Sequence, residues 1–145
     1  MKKVFIGLLI AVAGAVTYYL LQKENKPVTS NTVDQEKIIG KWKLDSLYAL
    51  KDSANNSMLG IIGIIEPDLK KYNYEFKKDG TITLSVGDSL TTNSSRYEWN
   101  KNNQLTWKEH PADTTGELFT VFFPNNNNLE LHSADSVVLQ FTKVK

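Results

Sequence analysis

Residues 71–86 read KYNYEFKKDGTITLSV, and this stretch decides the fold. Tyr72, Tyr74 and Phe76 alternate with Lys71, Asn73, Glu75 and Lys77, the period of two expected of a strand with one face against a core. Lys78, Asp79 and Gly80 follow, and an Asp-Gly pair supplies the positive φ that a tight hairpin needs. Ile82, Leu84 and Val86 then form a return strand that Gly87 and Asp88 end. A β-hairpin is therefore expected at the centre of the chain.

The same reading extends outward. Before the hairpin, Trp42, Leu44, Ser46, Tyr48 and Leu50 share one parity, with Lys41, Lys43 and Asp45 on the other. After it, Tyr97 and Trp99 alternate, as do Leu105 and Trp107, then Phe119, Val121 and Phe123, then Leu129 and Leu131, and last Val137, Leu139 and Phe141. Asn100 to Asn103, Pro111 to Gly116, and Pro124 with the Asn125 to Asn128 run read as turns and loops. The result is eight strands, at 39–50, 71–78, 81–87, 94–100, 104–109, 117–123, 129–133 and 136–144. Short connections favour antiparallel pairing of sequential neighbours. The expected fold is thus all-β, an eight-stranded antiparallel up-and-down barrel, whose closure removes exposed edges. An open sandwich is the alternative.

One connection is long. Residues 51–70 carry Met58, Leu59, Ile61, Ile62, Ile64 and Ile65, interrupted by Gly60 and Gly63, and are too apolar for a solvated loop. A short helix capped at Asn56 or Ser57 is expected, with Pro67 ending it or opening a second turn. It would plug or cover the barrel mouth.

Upstream of the barrel the chain changes character. Val4 to Leu21 is 18 residues without a charge, about 27 Å as a helix, close to the thickness of a bilayer core. Lys2 and Lys3 precede it, which keeps the N-terminus cytoplasmic. Residues 1–22 are therefore expected to be a membrane anchor or a signal segment. Length and flanks favour an anchor through residues 4–21, while Ala11, Ala13 and Ala15 offer small residues suited to cleavage. Residues 23–35 are polar, contain Pro27 and read as a linker; 36–145 is the barrel domain. Either N-terminal reading places that domain in the cell envelope, facing the periplasm.

Composition narrows the chemistry. The 145-residue chain has no Cys and two His, which excludes a thiol nucleophile, a disulfide and a Cys-based zinc site and argues against a multi-histidine metal centre; no metal is expected. Residues 27–145 hold 13 basic and 15 acidic side chains, so no basic surface is available for nucleic acid. His110 and His132 have no Ser and Asp at catalytic spacing, and Glu75, Glu98, Glu109, Glu117 and Glu130 fall mostly on outward strand positions. No enzyme and no cofactor are expected. The inward parity is rich in rings: Trp42, Tyr48, Tyr74, Phe76, Tyr97, Trp99, Trp107, Phe119, Phe123 and Phe141. They either fill a small core or line a cup for a small hydrophobic ligand such as a lipid or fatty acyl chain. Tyr74, Tyr97, Trp99 and Trp107 are the ligand-binding candidates, being mid-barrel with polar handles on the tyrosines.

Gly40 and Trp42, the run Phe76, Asp79, Gly80 and Thr81, the pair Tyr97 and Trp99, and the closing Leu139 and Phe141 together resemble the short lipocalin-like domains of exported Bacteroidetes proteins, within the calycins. The resemblance covers about three quarters of the chain and implies a barrel that Gly40 and Trp42 close at one end, the glycine allowing a tight entry and the indole filling the space between first and last strands. The Thr-Asp-Tyr element of larger lipocalins is missing, and so is the Arg that packs over their Trp; Lys143 is the nearest substitute and Arg96 is the chain's single Arg. A family of heat-shock and motility-associated envelope domains resembles the opening too, but its Gly-Cys-Asn element is absent. The membrane, through residues 4–21, is the expected partner, and a filled barrel acting as a non-catalytic structural or protein-interaction module of the cell envelope is the alternative function.

Overall fold

The computed structural model describes residues 33–50 and 56–145, with side chains at 33–50, 62–90 and 94–145. The expected N-terminal anchor and the linker up to residue 32 lie outside the described residues. No helix among the described residues is long and apolar enough to cross a membrane.

Alternating inward residues give eight strands: β1 (Gly40–Ala49), β2 (Asn73–Phe76), β3 (Thr81–Val86), β4 (Ser89–Lys101), β5 (Gln104–Lys108), β6 (Glu117–Asn125), β7 (Asn128–Ser133) and β8 (Val137–Lys143). Each pairs antiparallel with the next, and β8 returns to β1, closing the barrel. The open sandwich is thereby excluded. A 3-10 helix (Gln35–Ile38) precedes β1, and one α-helix, α1 (Asn56–Leu69), joins β1 to β2. The antiparallel order puts the β2–β3, β4–β5 and β6–β7 turns at the end where β1 begins, here the lower end. The β3–β4 turn, the 109–116 loop and the β7–β8 turn lie at the upper end.

Two departures from the expected pattern have a local cause. The β1–β8 register slips between Leu44 and Ser46. A bulge inserts one residue and moves every later side chain to the opposite face. Leu47 is therefore buried, and Tyr48, expected inside, stands on the outside at 37% exposure. Likewise β4 begins at Ser89, five positions before the expected 94, because Gly87 at φ +58 and Asp88 form a hairpin turn that pairs Val86 with Ser89. The third strand does end before Gly87, and the next begins directly after the two-residue turn.

The long connection is a helix, and it runs through Pro67 to Leu69 instead of stopping there. Its inner face buries Ile62, Ile65 and Leu69 in the barrel core. The reason it packs where it does lies in β2. That strand has 4 residues and pairs only with Gly40 to Lys43, so the upper half of β1 has no β2 neighbour. The Leu47 N–H, left over on that side, donates to Glu66 Oε1 at 3.2 Å, and Lys70 pairs with the same carboxylate oxygen at 2.8 Å. A helix thus covers a gap that an eighth full-length ladder would have closed.

The closing seam is held on both faces. Inside, Phe141 and Leu139 of β8 meet Leu44 and Leu47 of β1. Outside, the Ser46 hydroxyl donates to Gln140 at 3.0 Å, Gln140 donates to Glu130 at 3.2 Å, and the Glu130 carboxylate faces His132 Nε2 at 2.9 Å.

Candidate functional site

At the lower end, Gly40 takes φ +129, a region open to glycine, and the chain turns into β1. Trp42 follows, fully buried, with its indole Nε1–H donating to the Ile38 carbonyl of the 3-10 helix at 2.7 Å. Lys143 of β8 lies over the ring, Nζ 5.1 Å from the centroid. A Cβ on Gly40 would sit 3.3 Å from Lys143 Cε, so the small residue also leaves room for that lysine. The first and last strands are joined here through one indole.

Gly80 does similar work in the neighbouring β2–β3 turn. The turn bonds Gly80 N–H to Lys77 C=O at 3.0 Å, and the Asp79 carboxylate accepts from Thr81 N–H at 2.9 Å. Gly80 C=O then accepts from Tyr97 N–H at 2.8 Å, which draws the turn against β4. A Cβ at Gly80 would lie 2.9 Å from the Tyr97 carbonyl oxygen, and its φ is +83. Both the conformation and the close approach demand glycine.

The four ligand-binding candidates separate into two settings. Tyr74 and Trp107 belong to a continuous stack of rings inside the barrel. Trp107 meets Phe119 at 6.3 Å, Tyr74 at 6.1 Å and Phe76 at 5.8 Å, and Tyr74 meets Phe141 edge-on at 5.4 Å. Their polar groups are used internally: the Tyr74 hydroxyl donates to the Leu69 carbonyl at 3.2 Å, and Trp107 Nε1–H donates to Ser95 Oγ at 3.0 Å. Burial pushes the Tyr74 hydroxyl well above its ordinary range.

Tyr97 and Trp99 stand lower on β4. Tyr97 packs on Phe76 at 5.4 Å, and its hydroxyl donates to Lys77 C=O at 2.7 Å. Together with Trp99 it faces a groove of about 510 Å³ between the 3-10 helix, the β2–β3 turn and β4. That volume falls within the range of small-molecule sites. Ile39, Tyr97 and Trp99 give the groove its apolar floor; Gln35 and Glu36 form one wall, and Lys78, Asp79 and Gly80 the other. Arg96 and Glu98 edge it from the outer face of β4. Glu98 is bound to Lys108 at 2.9 Å. Asp79 is held below the usual carboxylate range mainly by the Thr81 N–H and hydroxyl. Arg96 forms no ion pair among the described residues, and its buried Nε has no hydrogen-bond partner there.

A second polar cluster was missed by the sequence reading. Glu117 opens β6 on the same parity as buried Phe119 and Val121, so it faces inward at the upper mouth and is half-buried. Burial, and then the neighbouring Asp135, push its carboxyl up to about 7. Asp135, in the β7–β8 turn, is itself 3% exposed and raised by burial. Glu117 is thus the exception among strand carboxylates that fall mostly outward, and its alternation with Phe119 and Val121 is the signal that marks it. Arg96 carried no such signal, since its strand position alone reads as a solvated face. Among the described residues, no group of three or more His, Asp or Glu side chains gathers as a metal site would require.

No family model matches this chain, and comparison with curated proteins finds no match. Among solved structures the chain is similar to a DUF4847 family protein from Bacteroides vulgatus, known from a crystal structure at 1.00 Å resolution. The two are 17% identical, with a TM-score of 0.50, over 77% of this chain and 99% of that one. At that identity the likeness bears on the barrel fold alone.

Proposed function

We propose that this chain is a lipocalin-like binding protein of the cell envelope, tethered by residues 4–21 and facing the periplasm, that takes up a small, mostly apolar molecule without catalysing a reaction on it. The observation that carries the reading is the groove at Trp99: an apolar floor of Ile39, Tyr97 and Trp99 in a concavity of about 510 Å³. The motifs around Gly40 and Trp42 and around Asp79 and Gly80 support the kinship, and the uncharged 18-residue N-terminal stretch supports the location.

The test is titration of the full chain with a fluorescent fatty acid. Saturable binding is expected, and Trp99→Ala should weaken it about three- to tenfold, the loss of one aromatic platform. Trp107→Ala should lower stability and leave the affinity of the folded fraction close to that of the parent chain. Absence of saturable binding would refute the reading. The ring stack around Trp107 favours a second reading, a filled barrel that serves as a docking module for an envelope protein; that reading predicts no binding of the fatty acid at all.

A further inference from the structure

The groove holds one feature that a purely apolar ligand leaves unexplained. Arg96 is the chain's single arginine; its Nε is buried without a hydrogen-bond partner, and it forms no ion pair among the described residues, although its charge helps hold the Asp79 carboxyl low. A buried donor left unmet is costly, and most such atoms in folded proteins find an acceptor. The nearby acids do not supply one. Glu98 is engaged with Lys108, and Asp79 caps the turn through Thr81. Outside the Glu98–Lys108 pair, the charged groups lining the groove are Lys78 and Arg96 against Glu36 and Asp79. Trp99, also without a hydrogen bond on its indole N–H among the described residues, lies three positions along the same strand, on the groove floor.

We infer that the groove selects a molecule with an apolar body and a single carboxylate head, the body lying on Trp99 and Ile39 and the head accepting from Arg96. A guanidinium is suited to this task because its planar fork matches the two oxygens of a carboxylate. The inference rests on the groove being the binding site, as proposed above, and adds the chemistry of the head group.

Calorimetric titration of the full chain with octanoate, 1-octanol and octylamine, which share one tail, tests it. Octanoate is expected to bind at least tenfold more tightly than 1-octanol, with octylamine weakest. Arg96→Gln should bring octanoate down to the level of 1-octanol while leaving 1-octanol unchanged. Arg96→Lys, which keeps the charge and loses the Nε–H, should lose at least threefold for octanoate alone. If octanoate and 1-octanol bind equally, or if the preference survives in both variants, the role of Arg96 is overturned and the groove reading stands. If none of the three binds, both fall. Circular dichroism confirms the fold of each variant; should Arg96→Gln fail to fold, the Arg96→Lys comparison decides by itself.

Discussion

Glu117 is a carboxyl placed where a carboxylate is disfavoured. Its ordinary value near 4.5 rises to about 7, through burial first and Asp135 second. The folded chain therefore holds a proton on this group that the unfolded chain has already released between those two values. Its contribution to stability is complete below pH 4.5 and is lost as the pH rises through 7. Glu117→Gln, which keeps the shape and removes the titration, should leave stability at pH 4 nearly unchanged and raise it at pH 8 by about 1–2 kcal/mol, a figure reduced for the solvent that still reaches the group. Denaturant unfolding at the two pH values measures this; equal midpoint shifts at both would contradict it. Trp42 shows the opposite economy. Its ring, its N–H and its face are each matched, by burial, by Ile38 and by Lys143.

At the scale of elements, α1 is the piece that makes an incomplete ladder work. Glu66 takes the N–H of Leu47 that a longer β2 would have taken, and the Lys70 hydrogen bond leads in holding its carboxyl below the usual range. Because that value is lowered, the contribution of Glu66 is present above pH 4.5 and fades as the pH falls through its folded value. Glu66→Ala should cost about 1 kcal/mol at neutral pH and speed amide exchange at Leu47 before it affects Trp42 or Leu44. Uniform acceleration along β1 would show that the helix is not a local latch. The elements were largely legible in the sequence, because alternation at Tyr72, Tyr74 and Phe76 or at Phe119 and Val121 reports directly on which face is buried. What escaped was a bulge. A single inserted residue near Asp45 leaves composition and alternation unchanged yet turns Tyr48 outward, since only the pairing with β8 reveals it. At Pro67 the sequence leaves an end or a further turn open, and the helix continues because the packing of Ile62, Ile65 and Leu69 outweighs one lost backbone bond.

Across the whole molecule, closure of eight strands makes interior space scarce. Rings that a sequence pattern offers as a lining are, at Tyr74 and Trp107, packed on one another and hydrogen-bonded within the chain. Away from the β1 bulge, parity tells which residues turn inward. It could not tell a lining from a filling, because that depends on how far each ring reaches across the barrel. Nor could it find the groove, which arises where the 3-10 helix, the β2–β3 turn and β4 meet, three segments distant in sequence.

The chain's three tryptophans provide separate reporters of where a ligand sits. Trp42 and Trp107 hold their indole N–H groups in internal bonds to Ile38 and Ser95, and Trp99 faces the groove. Indole N–H resonances, assigned by substitution in the full chain, should be followed by NMR during titration with octanoate. The Trp99 signal alone should move, saturably, with Trp42 and Trp107 staying in place. Movement of the Trp107 signal with Trp99 unmoved would put the ligand inside the barrel and contradict the account.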